Sequence, residues 1–166
     1  SENEKFVIVL SAIKNVTNLL LKYCDTKNEQ YIKQVIDLNM GLAQKCNVNI
    51  DNEILILNSL SKIPSHDCMI QLISFGEYLS CCILNKYLNS QKIYLKNIEL
   101  IDSLDIIKSN MNNNDGYYNK GEFEVNKKLL IENLKDNKAL IIPGFSGSTP
   151  DGKICLLGRG GSDTSG

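Results

Sequence analysis

Near its C-terminus the sequence reads Gly158-Arg159-Gly160-Gly161-Ser162-Asp163. This turn follows a short apolar run, and Ser162 or Asp163 can cap a helix running on from it. Gly160 and Gly161 let a backbone approach a ligand closely and accept a positive φ. Successive N–H groups at such a turn attract an anion, and a following helix dipole strengthens the effect. Arg159 adds a planar fork matched to a carboxylate or phosphate. On residues alone this is an anion site, or else a tight turn with a solvated arginine. Ser11 and Thr17 flank the loop after the first strand-like run, where α/β sheets place ligands. Their hydroxyls can donate to an anion or act as ordinary caps. Glu77 follows Gly76 inside a mostly apolar helical stretch. Facing inward it can hold an ammonium group; facing outward it is solvated. Phe145 follows Gly144 at a strand end and can wall a small polar pocket or simply fill core.

These residues need elements to position them. Residues 5–12 are short, continuous and β-branched, as a strand covered on both faces should be. Thr17 is placed to start a helix over 18–23. Apolar residues from Ile32 to Ala43 recur at helical spacing. Asp51 is expected to cap a second helix, which Pro64 ends, and a third runs over about 65–88. Strands are expected at 91–94, 98–101 and 106–108. The Asn-rich stretch 110–120 reads as a solvated connection, and 123–134 as a helix. Residues 139–145 and 154–157 read as buried strands joined by turn chemistry at 147–152. Strands alternating with helices predict an α/β domain with a mainly parallel sheet covered on both faces.

The composition bounds the partners. The 166 residues are 43% hydrophobic, enough for a core in one compact domain. The formal net charge of −1 offers no basic field to nucleic acid and no polybasic patch to a membrane. No run reaches the ~18 apolar residues of a membrane helix, and no signal peptide is evident. Six cysteines without a C-x-x-C pair, beside a single histidine, argue for reduced thiols in a cytoplasmic protein and against a zinc site. His66 is expected to be a capping or surface residue.

In order and spacing, three segments resemble aspartate kinases of the amino-acid-kinase family: Val9-Leu-Ser-Ala with Val16-Thr-Asn, Phe75-Gly-Glu-Tyr-Leu-Ser, and Pro143-Gly-Phe-Ser-Gly with Leu157-Gly-Arg-Gly-Gly-Ser-Asp. The GRGGSDTS form is similar to the subset that includes enzymes fused to a diaminopimelate decarboxylase. The resemblance implies a three-layer αβα sandwich and the amino-acid-binding part of a kinase domain over 1–166. It implies that Ser11 and Thr17 hydrogen-bond L-aspartate, that Glu77 takes its ammonium group and that Phe145 lies against it. Arg159 would clamp a carboxylate, Gly160, Gly161 and Ser162 would donate to it, and Asp163 would orient the catalytic end of the site. The family's first strand, with a Lys-Phe-Gly-Gly-Thr-Ser turn for the ATP phosphates, has no counterpart here, nor have the nucleotide-binding and regulatory regions. The expected full enzyme is a homodimer using ATP with Mg2+, while this chain alone is expected to be inactive. A truncated sheet would also expose an edge that favours self-association. The other readings are a sister kinase of the same fold and a non-catalytic amino-acid-binding or assembly module.

Overall fold

A computed structural model describes residues 4–91, 97–114, 116–137 and 139–158. Strand β1 (Phe6–Leu10) is followed by helices α1 (Val16–Thr26), α2 (Glu29–Lys45), α3 (Asp51–Ser61) and α4 (His66–Ser90). Next come β2 (Ile98–Leu100), the short helix α5 (Ser103–Ile106), β3 (Ile107–Ser109), β4 (Phe123–Val125) and α6 (Lys127–Asp136). The chain returns through β5 (Ala139–Pro143), β6 (Ser146–Ser148) and β7 (Ile154–Leu156).

The strands form a parallel sheet in the order β1-β5-β2 and a mixed sheet in the order β4-β3-β6-β7. β5 is the hinge of the architecture, because all five of its residues are buried. Side chains alternate across a strand, and β5 uses both faces. Ala139 and Ile141 pack with Cys81 of α4, while Leu140 and Ile142 join the cluster that takes Leu129, Leu130 and Leu134 of α6. Helices therefore cover both sides, giving the three-layer αβα arrangement.

Ser65 caps α4, its Oγ accepting from the Cys68 N–H at 3.2 Å. α4 is long and apolar enough by length and composition to cross a bilayer, contrary to the sequence expectation. Here that apolar surface is spent on the sheet and on α1.

Several expectations are corrected. Thr17 lies inside α1, whose N-cap is Asn15 at φ 75°, with no side-chain cap bond. Asparagine tolerates the left-handed region, so the helix starts two residues earlier than the Thr17 signal suggested. Asp51 is the first residue of α3 and not its cap; its N–H donates to Asn49 Oδ1 at 2.9 Å. Residues 123–125 form β4, paired antiparallel with β3. Asn126 then caps α6, its Oδ1 accepting from the Leu129 N–H at 3.1 Å. β1 is an edge strand among the described residues, and Phe6 (44%) and Val7 (39%) are exposed where burial on both faces was expected. Gln91 ends α4, and the remainder of the strand expected at 91–94 lies outside the described residues. All six cysteines are free; Cys24, Cys81, Cys82 and Cys155 are core residues.

Candidate functional site

The site is built where β1 and β5 end. The two strands are in parallel register, Leu10 opposite Pro143, and the Gly144 N–H donates to Leu10 O at 3.1 Å. Ser11, exposed, and the Gly144-Phe145 pair therefore leave the sheet side by side at its carboxyl edge.

α4 brings the acid to this edge. The Asn89 Nδ2 near its C-terminus donates to Ile98 O at the start of β2 at 3.4 Å, so α4 runs antiparallel to the strands. Cys81 packs level with Ala139 and Ile141. Glu77 is four residues earlier on the same stripe, about 6 Å nearer the carboxyl edge. It is buried, with 3% exposure. Its negative charge is felt by Cys81, whose thiol is raised mainly by burial and further by Glu77.

Gly76 sets how close α1 can come. A Cβ there would sit 2.8 Å from Val16 Cγ1, 2.9 Å from Leu20 Cδ1 and 3.7 Å from the Ala12 Cβ. The missing side chain brings the β1–α1 loop and the first turn of α1, including half-buried Thr17, against the middle of α4. The contact between α1 and α4 therefore falls at Gly76, the residue before Glu77, and at the first turns of α1.

Phe145 is buried at 6% in the same core cluster as Val16, Leu20 and Ile73. Tyr118 meets its ring edge-on, at 5.9 Å between centroids and 69° between planes. The sequence reading missed Tyr118, because nothing in an Asn-rich loop signals which aromatic ring folds inward. Arg159, Gly160, Gly161, Ser162 and Asp163 lie outside the described residues.

The surroundings limit the chemistry. Burial pushes the thiols of Cys24, Cys82 and Cys155 up to about 11, so none is an activated nucleophile. No group of three His, Cys, Asp or Glu side chains able to hold a metal occurs among the described residues. A cleft of about 950 Å3 opens along the α1 face bearing Asn15, Asn18, Lys22 and Asp25. By helical periodicity that face is turned away from Gly76, and Ser11, Thr17, Glu77 and Phe145 do not line it.

The sequence pattern of the amino acid kinase family matches residues 1–166. The chain belongs to the amino acid kinase family. A curated member of similar sequence is the aspartokinase of Rickettsia bellii, 28% identical over 165 residues, covering 99% of this chain and 32% of that protein. The chain thus spans about a third of the length of the curated relatives it matches. Among solved structures, E. coli aspartokinase III in complex with aspartate and ADP superposes with a TM-score of 0.78 at 20% identity, covering 96% of this chain and 38% of that one. The aspartate kinase of Clostridium acetobutylicum gives a TM-score of 0.67 at 26% identity over 99% of this chain and 37% of that one. The fold of this family member is therefore that of the αβα kinases, present here as a partial kinase domain.

Proposed function

We propose that this chain is the aspartate-holding part of an aspartate kinase. The observation that carries the reading is a glutamate with 3% exposure in α4, next to the glycine on which α1 packs. A buried carboxylate is costly unless a cation or donors meet it, and the ammonium group of an amino acid is such a cation. In this reading Ser11 and Thr17 donate to the ligand, Phe145 walls the pocket and Arg159 clamps a carboxylate. Gly160, Gly161 and Ser162 add donors, and Asp163 orients the site. The relatives named aspartokinase, and the neighbour solved with aspartate and ADP, support the choice of ligand.

In the whole enzyme the aspartate β-carboxylate attacks the γ-phosphorus of ATP, the bond to ADP breaks, and aspartyl phosphate forms. Such transfer depends on positioning and charge neutralisation. The described residues here supply the amino-acid side of that arrangement. Mg2+ would enter with the ATP phosphates, and no step is assigned to it here. The free buried thiols fit a reducing, cytoplasmic setting for the whole enzyme.

The test is ligand-induced stabilisation of the 166-residue chain. L-Aspartate at 100 times its Kd should add about 2.7 kcal/mol to unfolding stability, and UMP should add nothing. Glu77→Gln and Arg159→Ala should each remove the aspartate effect. Stabilisation by UMP, or an aspartate effect indifferent to both substitutions, would refute the reading. A coupled assay should find no ATP- and aspartate-dependent ADP release by this chain alone. Turnover by the pure chain would sink that expectation.

A further inference from the structure

The geometry points to Asn119 as a positioning residue for the aspartate pocket, acting through the ring of Tyr118 on Phe145. The inference rests on the aspartate-binding reading above. β3 and β4 are antiparallel neighbours, yet residues 110–122 lie between them. A hairpin needs only about two to five connecting residues. Connections this long in compact domains are either functional or loose linkers, and this one is tied down by its own hydrogen bonds.

Asn119 organises this one. It is 6% exposed, and its amide is fully used. Oδ1 accepts from Ser109 Oγ and from the Gly121 N–H, both at 2.8 Å. Nδ2 donates to Met111 O at 2.9 Å and to Asn113 Oδ1 at 3.3 Å. A Cβ on Gly121 would lie 2.5 Å from Ser109 Oγ and 2.9 Å from Asn119 Oδ1, so the knot closes only around a glycine.

Two restraints then run from this knot to Phe145. The Asn119 N–H donates to Leu156 O at 2.9 Å, and Tyr118 bridges the same residue of β7. Beyond β7, the Leu157 N–H donates to Phe145 O at 2.8 Å. From the side-chain direction, the Tyr118 ring holds the Phe145 ring edge-on. Phe145 is thus fixed at backbone and ring by a segment whose shape Asn119 sets. β7 also leads in sequence straight to Arg159.

The experiment titrates L-aspartate calorimetrically into the chain and its variants, with urea melts on each. Asn119→Asp keeps the two acceptor bonds but replaces both donations with an oxygen facing oxygens. It should weaken aspartate binding about tenfold or more. Tyr118→Leu should weaken it comparably, whereas Tyr118→Phe should bind within about twofold of the parent. Ile50→Ala opens a cavity in the separate cluster around Ala43 and Ile83, and so reports lost stability alone. It should leave affinity within about twofold. The inference is overturned if Asn119→Asp and Tyr118→Leu bind like the parent, or if Ile50→Ala weakens binding as much as they do. If Asn119→Asp does not fold, the Tyr118 pair decides. A parent chain that binds no aspartate, or that binds it equally well with Arg159→Ala, instead defeats the aspartate reading itself.

Discussion

Two helical glycines with opposite surroundings make the residue scale testable. At Gly76 an added methyl would press on Val16 and Leu20, both fully buried and unable to yield outward. Overpacking of this kind costs about 1–3 kcal/mol, against about 1 kcal/mol gained in helix propensity. At Gly41 nothing lies within 4 Å of the added Cβ. Gly76→Ala should therefore lower the urea midpoint, and Gly41→Ala should raise stability by up to about 1 kcal/mol. A stabilising Gly76→Ala would show that α1 and α4 can separate freely. It would remove the packing argument that brings the Thr17 turn to Glu77. The residue types at the site were legible in the sequence: a Gly-Glu pair in an apolar helix, and hydroxyls after a strand. Their relative placement was not, because the spacing of Ser11, Glu77 and Phe145 along the chain carries no distance between them.

At the element scale α4 is the spine that holds the site to the sheet. Its start was readable, since Ser65 before an apolar helical run is a cap signal and the structure has that bond. Ser65→Ala should cost about 1 kcal/mol, measured by denaturation. Because the cap lies three turns from Glu77, aspartate-induced stabilisation should survive. A full loss of ligand response in Ser65→Ala would mean that α4 does not hold the acid rigidly. Elements were misread where a polar residue hid the boundary. Asn126 ends a strand and starts α6, yet the apolar pattern of 123–134 also fits one continuous helix. Asn15 starts α1 from a left-handed conformation and makes no side-chain bond, so no cap pattern announces it.

For the whole molecule, the buried thiols set a pH limit. Cys24, Cys82 and Cys155 rise from 9.0 to about 11 on folding, chiefly through desolvation. Between these values the unfolded chain has released protons that the folded chain keeps. Stability is therefore fully present below pH 9 and falls as pH rises towards 11. Each thiol contributes about 2 kcal/mol of this loss. Melting temperature should drop over that window, and Cys155→Ala should flatten the drop. A flat profile from pH 8 to 11 would show that these thiols reach solvent in the folded chain. The exposed Phe6 and Val7 on β1 are the corresponding weak point at the sheet's edge.

By itself the sequence determined the layered α/β class, the free thiols and the kinship of its glycine-flanked motifs. Each of these depends on local pattern: period-two and period-3.6 hydrophobicity, cysteine spacing, and contiguous residues. Only the tertiary structure decided that α4 runs antiparallel to the sheet, that Glu77 stands at its carboxyl edge, and that Tyr118 closes on Phe145. Those facts depend on contacts between residues tens of positions apart. The packing energies that select such contacts act across the fold and leave no local mark on the chain.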